Sequence, residues 1–315
     1  METNNPSSTS SPKAWLKRLN LGEPQELDAY TIYPLCVGEA GPDPNLLLTH
    51  QAIGAQVLEI LEKGEGEVQE LEALNKGDKP VVILEGDTLI GCKQNRVVAR
   101  SVILGRGGKV PIPVGCMEQG RWDRTGGRFG SGKMRISPSV RSASTREILE
   151  AKKRGQGRTS VDQSRLWADV QLCLETCDVS SPSSDFNATV LEFGDEALDL
   201  SRTLKKHPGQ VGVLVTAGGS FLGLELAGHP DTWNELADRT LPAFLMDRGW
   251  AAEDPSPDKD PGTEASAWLS RIQNTPITLT PGLGQGKDID VEDGDLAGSG
   301  LWYEDQLVHL AVFAQ

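Results

Sequence analysis

The sequence predicts an α+β protein, with an antiparallel, β-rich N-terminal half and helices with further antiparallel strands in the C-terminal half. Three observations carry this. Short runs of strand composition crowd the first 120 residues. The Gly-, Asp- and Asn-rich breaks between them are too short for crossover helices and suit hairpins. Long apolar stripes at helical spacing begin only after residue 160.

In chain order, residues 1–24 read as a flexible tail leading into an amphipathic patch at Trp15 and Leu16. Leu27–Val37 is the first strand, and Thr49–Gln56 a short helix with Thr49 as its cap. Val57–Leu61, Val68–Leu74, Pro80–Leu84, Leu89–Leu104 and Val110–Cys116 follow as strands. Arg121–Gln163 is rich in Gly, Ser and Arg and reads as long loops. Ser160 and Gln163 fit a capping box for a helix with the stripe Leu166, Val170, Cys173 and Cys177. A second helix is expected over Asp195–Lys206, stopping at His207-Pro208-Gly209. Val211–Val215 and Phe221–Leu226 flank a Gly218-Gly219 turn, and Asp231 opens another helix. Ala251–Glu264 is an acidic, proline-rich connector, followed by a helix at Ala265–Arg271. Strands at Thr275–Thr280, Lys287–Val291, Gly294–Tyr303 and Gln306–Phe313 close the chain. The expectation is one compact domain over 25–315, readable as two lobes, 25–122 and 160–315, joined by the basic region 123–159.

The chain has 315 residues, 37% apolar and 24% charged, which suits a globular protein with a sizeable core. Its apolar runs fall far short of the roughly 20 residues that span a bilayer. The polar start at Met1–Pro12 has no signal-peptide character, so a cytoplasmic location without membrane contact is expected. Five cysteines are too sparse for a disulfide framework. Four scattered histidines have no metal-ligand spacing, so no metal site is expected and no cofactor is indicated.

The net charge of −14 hides an asymmetry: Lys93–Arg158 holds 16 Lys/Arg against 4 Asp/Glu. A basic island in an acidic protein suits a phosphate-bearing ligand held at one site. Equally, its cations can pair with the acidic remainder across the fold.

Candidate chemistry lies in that stretch and just before it. Lys93-Gln94-Asn95-Arg96 interrupts a strand, so on regular alternation two of the four face the core, a cost unless paired or bound to something. As a site, Lys93 and Arg96 hold anionic oxygens while Gln94 and Asn95 read a polar ligand. As structure, the four form a buried network or an exposed edge. Pro111–Trp122 runs a strand into Cys116, Glu118, Arg121 and Trp122. Glu118 and Glu85 are candidate acid/base carboxylates. Cys116 is either a nucleophile, its thiol pKa lowered by neighbouring cations, or a structural thiol. Trp122 either stacks on a base or sugar or packs in the core. Gly127–Lys133 has phosphate-loop spacing, but Met134 stands where Ser or Thr is needed. A basic loop closing over an anion, with Arg124, Arg128, Lys133 and Arg135, is the stronger reading.

Gly91-x-Lys93-Gln94-Asn95-Arg96 and Pro111-x-Pro113-Val114-x-Cys116-x-Glu118-x-Gly120-Arg121-Trp122 together resemble one family. It is the protein domain named for association with ADP-ribosylglycohydrolases and rhodanese/phosphatase-superfamily proteins. Pro208–Gly212, Gly223-x-Glu225-Leu226 and Val308-His309-Leu310 fit it too, from about residue 26 onward. The resemblance implies a setting of nucleotide, ADP-ribose or RNA-end processing, in repair or defence systems. It carries functional roles to Lys93, Gln94, Asn95, Arg96, Cys116, Glu118, Arg121 and Trp122, and none to Cys92. The leading expectation is a protein that binds a phosphate-bearing nucleotide or ADP-ribose-like ligand in a basic pocket. Any hydrolase- or transferase-type step would move protons through Glu118 or Glu85, with Lys93, Arg96 and Arg121 on phosphate charge. The rival is a non-catalytic module docking a partner protein or nucleic-acid end through the same face.

Overall fold

A computed structural model describes residues 11–64, 66–123, 125–155, 161–247 and 261–314. Helix α1 (Pro12–Leu16) precedes β1 (Asn20–Leu21), β2 (Gln25–Leu27), β3 (Tyr30–Cys36) and β4 (Leu47–Leu48). Next come α2 (Thr49–Gly54), β5 (Leu58–Glu62), β6 (Glu70–Asn75), β7 (Val81–Ile83), β8 (Thr88–Cys92) and β9 (Arg96–Val98). Then β10 (Val102–Leu104), β11 (Lys109–Cys116) and β12 (Thr125–Ser131) lead to α3 (Pro138–Lys153), α4 (Gln163–Thr176) and α5 (Asn187–Ser201). The hairpin β13 (Gln210–Ala217) and β14 (Ser220–Ala227) precedes α6 (Pro230–Leu245) and α7 (Pro261–Asn274). Strands β15 (Ile277–Pro281), β16 (Lys287–Asp293), β17 (Leu296–Tyr303) and β18 (Gln306–Ala314) finish the chain.

The fold is α+β. A nine-stranded antiparallel sheet runs β1-β3-β13-β14-β18-β17-β16-β15, with β2 on the side of β3. The first strands of the chain therefore sit beside strands from its second half. A six-stranded sheet, β12-β8-β9-β11-β6-β5, and a three-stranded sheet, β10-β7-β4, hold the rest. Along β18 the pleat alternates burial. Leu310 and Val312 join the core under α1 and α7, while Ala311 and Phe313 face the side that α6 covers. Both faces are buried, which is why these strands read as near-continuous apolar runs. The hairpin turn at Gly218-Gly219 is as expected, since both glycines have positive φ (55° and 83°).

Several elements differ from the sequence reading. From residue 11 the expected tail is part of the fold: Trp15 and Leu16 of α1 are buried in the main core. Thr49 is the first residue of α2, not its cap. Its hydroxyl donates to Asp87 (2.5 Å), while the Gln51 side chain accepts from the Leu48 N–H (3.0 Å). Leu89–Leu104 is three short strands. α3 lies inside the region read as loops, because its buried side includes Arg141, Ser142 and Thr145 and so shows little apolar period. α4 is capped by Asp162, which accepts from the Ser164 and Arg165 N–H groups (3.0 and 3.2 Å). Ser160 of the expected capping box lies outside the described residues, and Gln163 is used elsewhere. α5 starts eight residues early, its buried stripe built from Thr189, Val190, Gly194, Ala197 and Ser201, too small to stand out. α7 likewise begins at Pro261, inside the expected connector. Among the described residues no helix is long and apolar enough to cross a membrane.

Candidate functional site

Lys93–Asn95 is a hairpin turn between β8 and β9, and Arg96 opens β9, so the peptide is not an interrupted strand. Gly91 (φ 123°) and Cys92 (φ 49°) take the left-handed backbone that reverses the chain, so simple alternation does not apply. Across the sheet Cys116 pairs with Arg96, which carries Glu118 in under the turn. The chain after Cys116 then pairs with 183–186: Gln119 and Gly120 N–H donate to Ser183 O, and Phe186 N–H to Met117 O. A Cβ on Gly120 would stand 2.9 Å from Ser183 Cα, so only glycine permits this approach. The pairing brings Glu118 opposite Asp185.

Glu118 is buried and heavily hydrogen-bonded. It accepts from Arg121 Nε (2.8 Å) and Nη2 (2.6 Å), the Asn95 N–H (3.0 Å) and the Ser183 hydroxyl (2.9 Å). Burial works to raise its pKa, but these donors, Arg121 foremost, hold the carboxyl below its usual range. Asp185 is the opposite case. It accepts from Asn95 Nδ2 (2.8 Å) and the Asn187 N–H (3.0 Å), yet burial and then the Glu118 charge push it up to about 6. Asn95 thus joins two carboxylates of different proton affinity, a pattern typical of acid/base sites. Arg121 also donates to Cys92 O (2.7 Å) and Asn95 Oδ1 (3.2 Å), and Gln94 to Gln119 O (3.2 Å).

Trp122 follows on the outside and is 48% exposed. Lys93 Nζ lies 5.0 Å from its ring centroid, a cation–π contact that leaves an aromatic face and an ammonium side by side at the surface. Arg96 lies beneath, fully buried. It donates to Val68 O (3.1 Å) and the Cys116 thiol, with Nη2 3.8 Å from Glu62. Cys116 departs from the expected activation: burial pushes its thiol up to about 11 despite Arg96. Its backbone is clamped by Gln163, whose amide accepts from Cys116 N–H and donates to Cys116 O, both at 2.8 Å.

The other candidates lie elsewhere. Glu85 is buried among the Thr145 and Ser299 hydroxyls, in a polar interior on the face of the nine-stranded sheet that α3 covers. There Glu225 binds Arg135, Arg141 (2.7 Å) and His309 (2.5 Å). Arg135 also donates to Glu85 O. Burial opposes its ionisation, yet the Arg135 and Arg141 charges hold Glu225 well below the usual carboxylate range. Arg100 lies on Asp290 (2.8 Å) and Asp288 (3.1 Å), with Lys152 on Asp290 (2.6 Å). Of the expected basic loop, Arg135 is interior. Gly127–Ser131 is strand β12, exposed Arg128 and Lys133 pair with Glu59 and Asp195, and Arg124 lies outside the described residues. Most cations of the basic island thus meet carboxylates from the rest of the chain. Sequence reasoning missed Asp185, Ser183 and Glu62, each far from the motif along the chain. Gly91, which takes positive φ beside Cys92, is the sequence signal for a turn at Lys93–Asn95.

A protein-family model described as ARPP-1, ARG and Rhodanese-Phosphatase-superfamily-associated Protein domain, matches residues 18–313. No curated protein and no solved structure matches the chain. The match covers nearly the whole sequence, so the chain belongs to that family.

Proposed function

We propose, on the premise of that family membership, that the protein binds a phosphate-bearing nucleotide or ADP-ribose-like ligand at the turn formed by Lys93–Asn95 and Trp122. The observation that carries this reading is the exposed Trp122 ring beside Lys93, on a turn whose Asn95 donates to Asp185, a carboxyl that burial pushes up to about 6. An aromatic face suits a base or sugar, and the ammonium suits a phosphate oxygen. In a hydrolytic step Asp185 is the proton carrier, since Glu118 already receives donors on both oxygens. Glu118 and Arg121 position Asn95 and the turn. Arg96 and Cys116 support the platform from below, and Glu85 belongs to the interior.

The rival docking of a nucleic-acid end draws less support, because so much of the local positive charge is already met within the fold. The test is a thermal-shift screen of nucleotides, NAD, ADP-ribose and ribose phosphates on wild type, Trp122→Ala and Lys93→Ala. A ligand at about 100 times its Kd adds roughly 2.7 kcal/mol to stability. The expected hit is lost in both variants, which keep the wild-type melting temperature without ligand. No hit at low salt would refute small-ligand binding. Binding of an oligonucleotide with a steep salt slope would favour the docking reading.

A further inference from the structure

Away from the Lys93–Trp122 face, α3, α4 and α5 converge on the end of α6. They line a solvent-open cavity of about 230 Å³ that shares no lining residue with that face. For scale, an apolar cavity of about 150 Å³ takes up benzene. Val140, Ala143, Phe186 and Met246 line it, and Leu172, 59% exposed, lines it from α4. Its polar lining includes two carboxylates, Asp169 and Asp247, with the hydroxyls of Ser137, Ser139, Thr176 and Thr189. Asp247, 4% exposed, accepts from Ser139 N–H (2.7 Å) and the Ser139 hydroxyl (2.9 Å), one donor on each oxygen. Each oxygen keeps a further lone pair. Among the described residues no Lys, Arg or His charge acts on Asp247, although a buried carboxylate strongly favours a cationic partner. Asp169 adds a second carboxylate. Arg165, the cation in the lining, is taken up by Glu147 (3.3 Å) and Asp169 (3.8 Å).

We propose that this cavity binds a small molecule with an apolar, ring-sized body and an ammonium end, the body against Phe186 and Met246 and the ammonium on Asp247. The charge balance selects the occupant: apolar walls accept the body, and a buried carboxylate with no cationic partner among the described residues accepts a cation and rejects an anion. Burial pushes Asp247 up to about 6, so an incoming cation also relieves the cost of ionising it. Cys173 contributes its thiol to the lining, while Cys36 lies far off on β3 and serves as an internal control.

The probe is benzylamine, compared with benzyl alcohol and phenylacetate, by thermal shift and by mass-spectrometric rates of thiol modification with methyl methanethiosulfonate. Benzylamine should raise the melting temperature and slow modification of Cys173 at least threefold while leaving Cys36 unchanged. Its binding should weaken about tenfold as pH falls from 7.5 to 5, and phenylacetate should not bind. Ala143→Phe, which fills the cavity, should abolish both effects. Asp247→Asn should weaken benzylamine at least tenfold and leave benzyl alcohol unaffected. The proposal is overturned if benzylamine neither stabilises wild type nor protects Cys173, or if phenylacetate binds as well as benzylamine. Undiminished benzylamine binding in Ala143→Phe would overturn it too. The wild-type comparisons decide the matter even if a variant fails to fold.

Discussion

Asp185 and Glu118 share Asn95 and respond to pH with opposite signs. The folded value of Asp185, about 6, lies above the roughly 3.9 of an unfolded aspartate. Its contribution to stability is therefore full below about pH 4 and is lost as pH rises through about 6. Asp185→Asn should stabilise the protein at pH 7 by roughly 1–3 kcal/mol. Wild type and variant should converge at pH 4 in urea denaturation, and a variant no more stable at pH 7 would contradict the assignment. Glu118 runs the other way, its folded value being depressed. Its stabilisation is present above the unfolded value of about 4.3 and is lost as pH falls below it. Glu118→Gln should cost about 2–3 kcal/mol at pH 7, because it removes the charge that Arg121 and Ser183 address. Weakened ligand binding beside the loss of stability would support Glu118 as a positioning group, and binding retained would leave it a purely structural role. The motif residues were legible as a group in the sequence. Their division of labour was not, because it depends on Asp185, 67 residues beyond Glu118, reaching it through backbone pairing.

At the scale of elements, close backbone approach sets the joints. Gly228 links β14 to α6, and a Cβ there would fall 1.6 Å from Leu307 O of β18. Because backbone cannot swing aside as a side chain can, Gly228→Ala should cost more than about 3 kcal/mol or prevent folding. A melting temperature within a few degrees of wild type would show that the joint yields. The cap of α4 is a milder case: Asp162→Ala should cost about 1 kcal/mol. Elements with strong apolar signals, such as β13, β14 and β16–β18, were readable because both of their faces are buried. α3 and the start of α5 were not, since small and polar residues occupy their inner sides.

At the scale of the molecule, the polar interior on Glu225 ties the two halves of the chain together. Arg135 and Arg141 come from the middle of the sequence, while Glu225 and His309 come from the nine-stranded sheet. Removing Glu225 strands two buried guanidinium groups, so Glu225→Gln should cost about 3–5 kcal/mol. Denaturation in urea checks this, and a cost under about 1 kcal/mol would show that the network is dispensable. Burial lowers the His309 pKa, against the raising pull of the Glu225 charge and hydrogen bond. Its stabilisation is full above about pH 6.5 and falls as pH drops below that value. His309→Gln should flatten the wild-type loss of stability between pH 6.5 and 5. The cations of the basic island are thus largely paired with carboxylates of the same chain, some buried and some at the surface, and net charge along a sequence window cannot distinguish that from a binding surface.

By itself the sequence determined the α+β class, most strands of the second half, the family resemblance and the peptides that carry the candidate site. Composition, turn chemistry and local motif spacing are properties of neighbouring residues, and those are what a sequence displays. Tertiary structure alone decided which cations are spent on carboxylates, that Arg96, Arg135 and Glu85 are interior, and that Asp185 joins Glu118. Those outcomes depend on contacts between residues 20 to 214 positions apart and on burial, which sets the cost of each charge.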